Sequence, residues 1–205
     1  MSKKKPLIVF EGIEGSGKTT LIDFISRYFK RKKIKFIKLR EPGGSKNSEL
    51  IRKLILNKKN KFNPLTDLLL YLAARNENIE NIIKNNYKKK IILLDRFIDS
   101  TIAYQHYGMG LSNSLIKTIN KVLLGKIVPD FVFINIVNKK NLKNRLKLRK
   151  NKNRYDNFNF SFYKKVQSGF LKLSKNKKNY IIIDSNKKLI ENKKIILNNI
   201  LKLIN

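Results

Sequence analysis

From Gly12 to Thr19 the chain reads GIEGSGKT, which fits the P-loop pattern G-x-x-x-x-G-K-[ST]. Gly12, Gly15 and Gly17 leave backbone N–H groups free to converge on phosphate oxygens, and the positive end of a following helix adds to their pull. Lys18 can reach the β- and γ-phosphates of a nucleotide, and the Thr19 hydroxyl can ligate Mg²⁺. Ile13, Glu14, Ser16 and Thr20 complete the loop. The stretch IILLD ends in Asp95. It has the form of a buried strand delivering a second carboxylate to the same metal, directly or through water. The chemistry implied is phosphate binding and transfer. Glu14 is the odd residue, because it places a negative charge inside a cradle for anions.

These residues need strands that end together and helices that begin beside them. Residues 7–10 form a short apolar run that stops at the glycine-rich turn, which predicts a buried parallel strand. Residues 18–29 carry Leu21, Ile22, Phe24, Ile25, Tyr28 and Phe29 at helical spacing. Further strands are predicted at 34–39, 91–95, 131–136 and 180–184. Helices are predicted at 48–56, 65–86, 100–107, 112–124, 142–148, 160–173 and 189–204. Alternating apolar strands and amphipathic helices predict one α/β domain over 1–205, with a parallel sheet flanked by helices on both faces. Residues 149–159 are polar, basic and nearly free of aliphatics. They read as a mobile loop between helices.

Composition narrows the setting. A chain of 205 residues with 41% hydrophobic content can bury a sizeable core and is not a disordered polymer. It has no cysteine, which excludes disulfides and thiolate metal sites and fits a reducing cytoplasm. The apolar run behind the basic N-terminus is too short for a signal peptide or a membrane span. The net charge of +33 raises the question of a nucleic-acid partner. The lysines, however, are spread along the whole chain among Asn and Ile, and aromatics do not punctuate a basic stripe. Biased codon composition accounts for that pattern, and neither a specific nucleic acid nor a membrane is expected as partner. Only 9 of the 47 basic residues are arginines. In such a chain, arginine marks places where a planar forked donor is needed.

A P-loop alone does not name a reaction. The base-reading N-K-x-D of a GTPase is missing, since Asn138-Lys-Lys-Asn141 lacks the Asp. The small size and the Asp95-Arg96 pair point to a nucleotide or metabolite kinase. Several motifs then go further: FEGIEGSGKTT, REPGG at 40–44, LAAR at 72–75, DRFIDSTIAYQ at 95–105, Pro129-Asp130 before a strand, and Arg154-Tyr155-Asp156. Over nearly its whole length the chain resembles bacterial thymidylate kinases. The resemblance implies a P-loop kinase fold with a five-stranded parallel sheet and a lid loop at about 149–159. It also implies ATP as phosphoryl donor, Mg²⁺ as cofactor, dTMP as acceptor, dTDP as product on the way to dTTP, and a homodimer.

The same resemblance suggests roles by position. The acceptor region would span about 41–75 and 96–107. Arg96 would grip the acceptor's phosphate, with Arg52 assisting. Tyr71 would stack on thymine, where the family often has Phe. Arg75 and Gln105 would contact the base, with Thr101 near it. Tyr104 would lie under the deoxyribose, and Glu41 and Pro42 would shape the pocket. Glu14 would face the acceptor's 3′-hydroxyl and the water shell of a metal held by Thr19 and Asp95. No residue inside this P-loop other than Lys18 is basic, so transition-state charge is expected from a lid arginine, Arg149 or Arg154. Six of the nine arginines fall at these sites or in REPGG, leaving Arg27, Arg31 and Arg145. Two other readings stay open on sequence: a kinase for a different acceptor, and a basic nucleic-acid-binding protein that uses ATP as a switch.

Overall fold

The computed structural model describes residues 5–150 and 153–204; residues 1–4, the lid positions 151 and 152, and residue 205 lie outside them. The elements run β1 (Leu7–Gly12), α1 (Lys18–Arg31), β2 (Phe36–Arg40), α2 (Lys46–Leu56), α3 (Pro64–Asn78) and α4 (Lys84–Asn86), then β3 (Ile91–Asp95) and α5 (Ile98–Thr101). They continue with α6 (Asn113–Leu124), β4 (Phe131–Ile136), α7 (Lys139–Lys147), α8 (Phe160–Ser174), β5 (Tyr180–Asp184) and α9 (Leu189–Ile204).

The five strands form one parallel sheet in the order β2-β3-β1-β4-β5. β1 is central and buried along its whole length, which is why LIVFEG shows no polar alternation. Alternate residues divide the core between the two faces. Ile8 and Phe10 pack with Leu21, Ile25 and Phe29 of α1 and Ile196 and Ile200 of α9. Leu7 and Val9 face the side that holds Tyr104, Val166 and Phe170. Each of these large side chains contributes roughly 1.5–3 kcal/mol by leaving water.

Register decides where the chemistry falls. Phe10 pairs with Asp95, Arg40 with Asp95, and Gly12 with Asn135. The carboxyl ends of four strands therefore share one edge. The order reverses at β1, between β3 and β4, and in open α/β sheets that crevice is where ligands bind.

Three local departures from sequence expectation are informative. The helix expected at 65–86 contains a π-helical stretch, Ile79–Ile83, between α3 and α4. The helix expected at 100–107 begins as α5 and widens into a π-helix at Ile102–Gly108. Such wide turns cluster at functional sites. Here α8 packs against the π-helix so closely that a Cβ on Gly169 would lie 2.5 Å from the Tyr107 ring. The loop expected at 149–159 is ordered in its second half. Arg154–Asn157 form a 3₁₀ turn closed by a capping box between Asn153 and Asp156, with Tyr155 buried beneath. One aromatic residue is enough to tie down an otherwise polar segment.

Candidate active site

The cradle begins where β1 presses against β4. Gly12 has φ 136°, and a Cβ there would run into the Asn135 carbonyl oxygen, so only glycine fits. Ile13 is buried in the core and serves as the floor of the loop. Lys18 folds back over it. Its Nζ donates to the carbonyls of Gly12 (2.8 Å) and Ile13 (2.9 Å) and to Ser16 Oγ (3.4 Å). Burial, joined by the positive charge of Arg96, lowers the Lys18 pKa to about 8 against the pull of Asp95, Glu14 and Glu11.

Thr19 Oγ1 donates to Asp95 Oδ2 at 3.4 Å, and Asp95 Oδ1 is buried without a hydrogen-bond partner. That orphaned oxygen beside a hydroxyl fits a divalent cation. Among the described residues no group of three or more His, Cys, Asp or Glu could hold a metal. One carboxylate and one hydroxyl are an oxygen-only donor pair of the kind that hard cations take together with water and phosphate oxygens.

Arg96 follows Asp95 with φ 70°, a conformation costly for a side chain and frequent at functional sites. Its Nη1 donates to Gly12 O (2.8 Å) and Ser100 Oγ (3.1 Å), and its Nη2 to Glu14 Oε1 (2.8 Å) and Tyr104 OH (3.4 Å). The Tyr104 hydroxyl in turn donates to Glu14 Oε2. Glu14 thus points away from the phosphate cradle and pairs with the arginine of the neighbouring strand end. The charge that looked misplaced in the loop is the counter-charge of Arg96.

Beyond Arg96 lies a pocket built on α3 and the π-helix. Arg75 is 2% exposed. Its Nε donates to Glu41 Oε2 (2.8 Å), Nη1 to Asn120 Oδ1 (2.6 Å), and Nη2 to Phe97 O and Thr101 Oγ1 (2.9 Å each). Four of its five N–H groups are thereby used, leaving one on Nη1. Burial raises the pKa of Glu41 despite Arg75. Arg52 Nη1 donates to Pro42 O at 2.5 Å, fixing the turn after β2. Tyr71 and Tyr104 each meet Tyr155 edge-on, at centroid distances of 6.0 and 5.8 Å.

A cavity of about 700 Å³ joins the two halves. Residues 14–20, Asp95 and Arg96 line it, as do Glu41, Pro42, Arg52, Tyr71, Arg75, Thr101, Tyr104, Gln105 and Arg149. The two lid arginines part company. Arg149 is exposed, lines the cavity and pairs with Asp156 at 2.5 Å. Arg154 instead pairs with buried Asp67, donates through Nε to the Ile55 carbonyl, and stacks over Phe62 and Tyr155.

Sequence reasoning missed two residues. Arg145, one helical turn before Arg149, lines the cavity and donates to Gly15 O (3.0 Å) and Ser185 O (2.6 Å), bracing the cradle from the far side. Its rarity among lysines was the available signal. Glu11 is fully buried and accepts from the backbone N–H groups of Phe97 (2.8 Å) and Ser100 (3.2 Å) and from Ser100 Oγ (2.5 Å). It holds the Asp95–Arg96 turn. Burial and the charge of Asp99 raise its pKa to about 7. His106, the single histidine, donates from Nδ1 to the Leu111 carbonyl (2.7 Å), a contact within its own turn.

A phosphate cradle on the central strand, a lone carboxylate on the next strand and a cationic pocket opening on the same cleft define a P-loop kinase. The thymidylate kinase family model matches residues 10–196. The chain is 37% identical over 197 residues to the thymidylate kinase of Thermoanaerobacter sp. (strain X514), covering 95% of this chain and 96% of that one. It is 39% identical over 197 residues to the thymidylate kinase of Sulfurihydrogenibium sp. (strain YO3AOP1), covering 94% and 95%. The crystal structure of thymidylate kinase from Ehrlichia chaffeensis superposes with TM-score 0.76 at 32% identity, covering 96% of this chain and 98% of that one. The chain belongs to the thymidylate kinase family.

Proposed function

We propose that this chain transfers the γ-phosphoryl group of ATP to dTMP, giving ADP and dTDP on the route to dTTP. The observation that carries the reading is the Arg96–Glu14 pair, which stands between the phosphate cradle and the acceptor pocket in one cavity. A phosphate oxygen of dTMP attacks the γ-phosphorus. The bond to the β–γ bridging oxygen breaks, and its electron pair leaves with ADP. The acceptor is already an anion, so no strong general base is needed. The task is to align and neutralise two polyanions.

In this reading Lys18 turns from the loop carbonyls to the donor's phosphates, and Arg96 holds the attacking phosphate. Tyr71 lies against the base, Arg75 offers its remaining N–H to it, and Gln105 contacts its edge. Tyr104 lies under the sugar, and Glu14 accepts from the 3′-hydroxyl. Mg²⁺, held by Thr19 and Asp95, supplies neutralisation of the phosphate charge. Arg149 is the lid arginine favoured as the source of transition-state charge, because it lines the cavity while Arg154 is engaged with Asp67.

The enzyme works in the cytoplasm as a homodimer. Exposed Leu65 and Leu69 on α3 and Leu115 and Val122 on α6 support a shared apolar face. Among the described residues no helix is long and apolar enough to cross a membrane. The test is ADP formation with ATP, Mg²⁺ and a panel of nucleoside monophosphates. dTMP should give the highest kcat/KM, and a higher value for another acceptor would overturn the assignment.

A further inference from the structure

Asp67 lies on α3 and is 1% exposed. Three partners converge on its carboxylate. Arg154 pairs with Oδ1, while the Tyr155 hydroxyl and Gln105 Nε2 (3.3 Å) donate to Oδ2. An ionised carboxylate only accepts hydrogen bonds. Gln105 must therefore turn its NH₂ group toward Asp67, which leaves its carbonyl Oε1 as the group it offers to the pocket it lines.

We infer that Asp67 is a specificity-positioning residue: by fixing the polarity of the Gln105 amide, it makes the pocket present an acceptor and so favours pyrimidines that carry a proton on N3. The inference rests on the proposed acceptor reading and goes one step deeper. Thymine and uracil have N3–H and match an acceptor. Cytosine presents a bare N3 there and meets an unpaired oxygen. The same carboxylate also holds the foot of the lid through Arg154 and Tyr155, so the amide's orientation is locked together with the lid.

Asp67→Asn reverses the logic with almost no change in shape. The guanidinium of Arg154 can only donate, so the new amide oxygen must stay on Arg154. Its Nδ2 then faces Tyr155 and Gln105. A tyrosine hydroxyl can accept, but Gln105 must turn Oε1 outward to Nδ2 and give its NH₂ to the pocket.

The experiment measures kcat/KM on dTMP, dUMP and dCMP for wild type, Asp67→Asn, Gln105→Met and the double variant. In Asp67→Asn the preference for dTMP over dCMP should fall by about tenfold or more, as expected when a polar site loses its matched partner. The ratio of dTMP to dUMP should hold, because both carry N3–H. General damage to the fold would lower all three substrates together. In the Gln105→Met background, Asp67→Asn should have no further effect on selectivity. Gln105→Met leaves the Asp67–Arg154 pair intact, so it tests the chain of argument even if Asp67→Asn folds poorly: its preference for dTMP over dCMP should also fall. An unchanged preference in either single variant overturns the inference while leaving dTMP kinase activity standing. Wild-type protein without turnover of dTMP overturns the functional reading and the inference with it.

Discussion

Arg96→Ala is the sharpest perturbation of the site. All four Nη hydrogens of Arg96 are committed: to Gly12 O, Ser100 Oγ, Glu14 Oε1 and Tyr104 OH. An incoming phosphate must take over part of this set, and the charge-assisted contacts to it replace those to Glu14. A hydrogen bond to a charged group is worth about 1.5–3 kcal/mol, so losing a two-pronged grip removes roughly 3–6 kcal/mol. That corresponds to a fall of roughly 10²- to 10⁴-fold in kcat/KM for dTMP. In the proposed reading ATP is held by the cradle backbone and Lys18, so its affinity should change far less. Stability should fall as well, since Glu14 loses its cationic partner. The loss should stay below the ~3–5 kcal/mol of a fully buried pair, because the Tyr104 hydroxyl remains to it. Alanine does not relieve the left-handed backbone at this position. Arg96→Gly should therefore be more stable than Arg96→Ala by roughly 1 kcal/mol or more and equally inactive, which separates strain from chemistry. The assays are coupled ADP release against dTMP concentration, calorimetric titration with ATP, and thermal melting. A kcat/KM for dTMP near the wild-type value, or a loss of ATP affinity as large as the loss of dTMP efficiency, would refute the reasoning.

Glu14→Ala should lower kcat/KM for dTMP by roughly 1–3 kcal/mol and cost much less on an acceptor lacking the 3′-hydroxyl; equal losses on both would show that Glu14 serves Arg96 and Tyr104 alone. Arg149→Ala should reduce kcat by ~10³-fold or more with little change in substrate binding, whereas Arg154→Ala should lower the melting temperature by several degrees and reduce kcat less. The reverse ranking would move the transition-state role to Arg154. The lowered pKa of Lys18, about 8 and caused first by burial, predicts that kcat/KM for ATP falls as pH rises through that value in the free enzyme. Between about 8 and the ordinary 10.5 the unfolded chain holds a proton at this lysine that the folded one lacks, so Lys18 contributes stability that rises with pH across the window. An ATP profile that stays flat well beyond its apparent pKa would contradict the first half, and a Lys18→Met variant with the same pH–stability slope the second.

Some of this protein is written in short stretches of chain. GIEGSGKT carries its own cradle because glycine freedom, helix dipole and lysine reach are all local properties. The five strands and most helices follow from apolar period and turn residues, since burial on one face of an element repeats within that element. Even the 3₁₀ turn at Arg154–Asn157 has a local cause, the Asn153–Asp156 capping box. The sequence also singled out arginines by their scarcity. What the tertiary structure alone decided is which distant groups meet. Glu14 and Arg96 are 82 residues apart and pair because β1 and β3 are neighbours and end in register. Arg149 and Arg154 look alike in one polar loop, yet a buried carboxylate from α3, remote in sequence, captures only the second. Arg145 gained its place against Gly15 only when β4 delivered α7 to the flank of the cradle. Periodicity sets what an element buries, but the strand order β2-β3-β1-β4-β5 sets what it buries it against, and a charge takes its role from the partner it finds there.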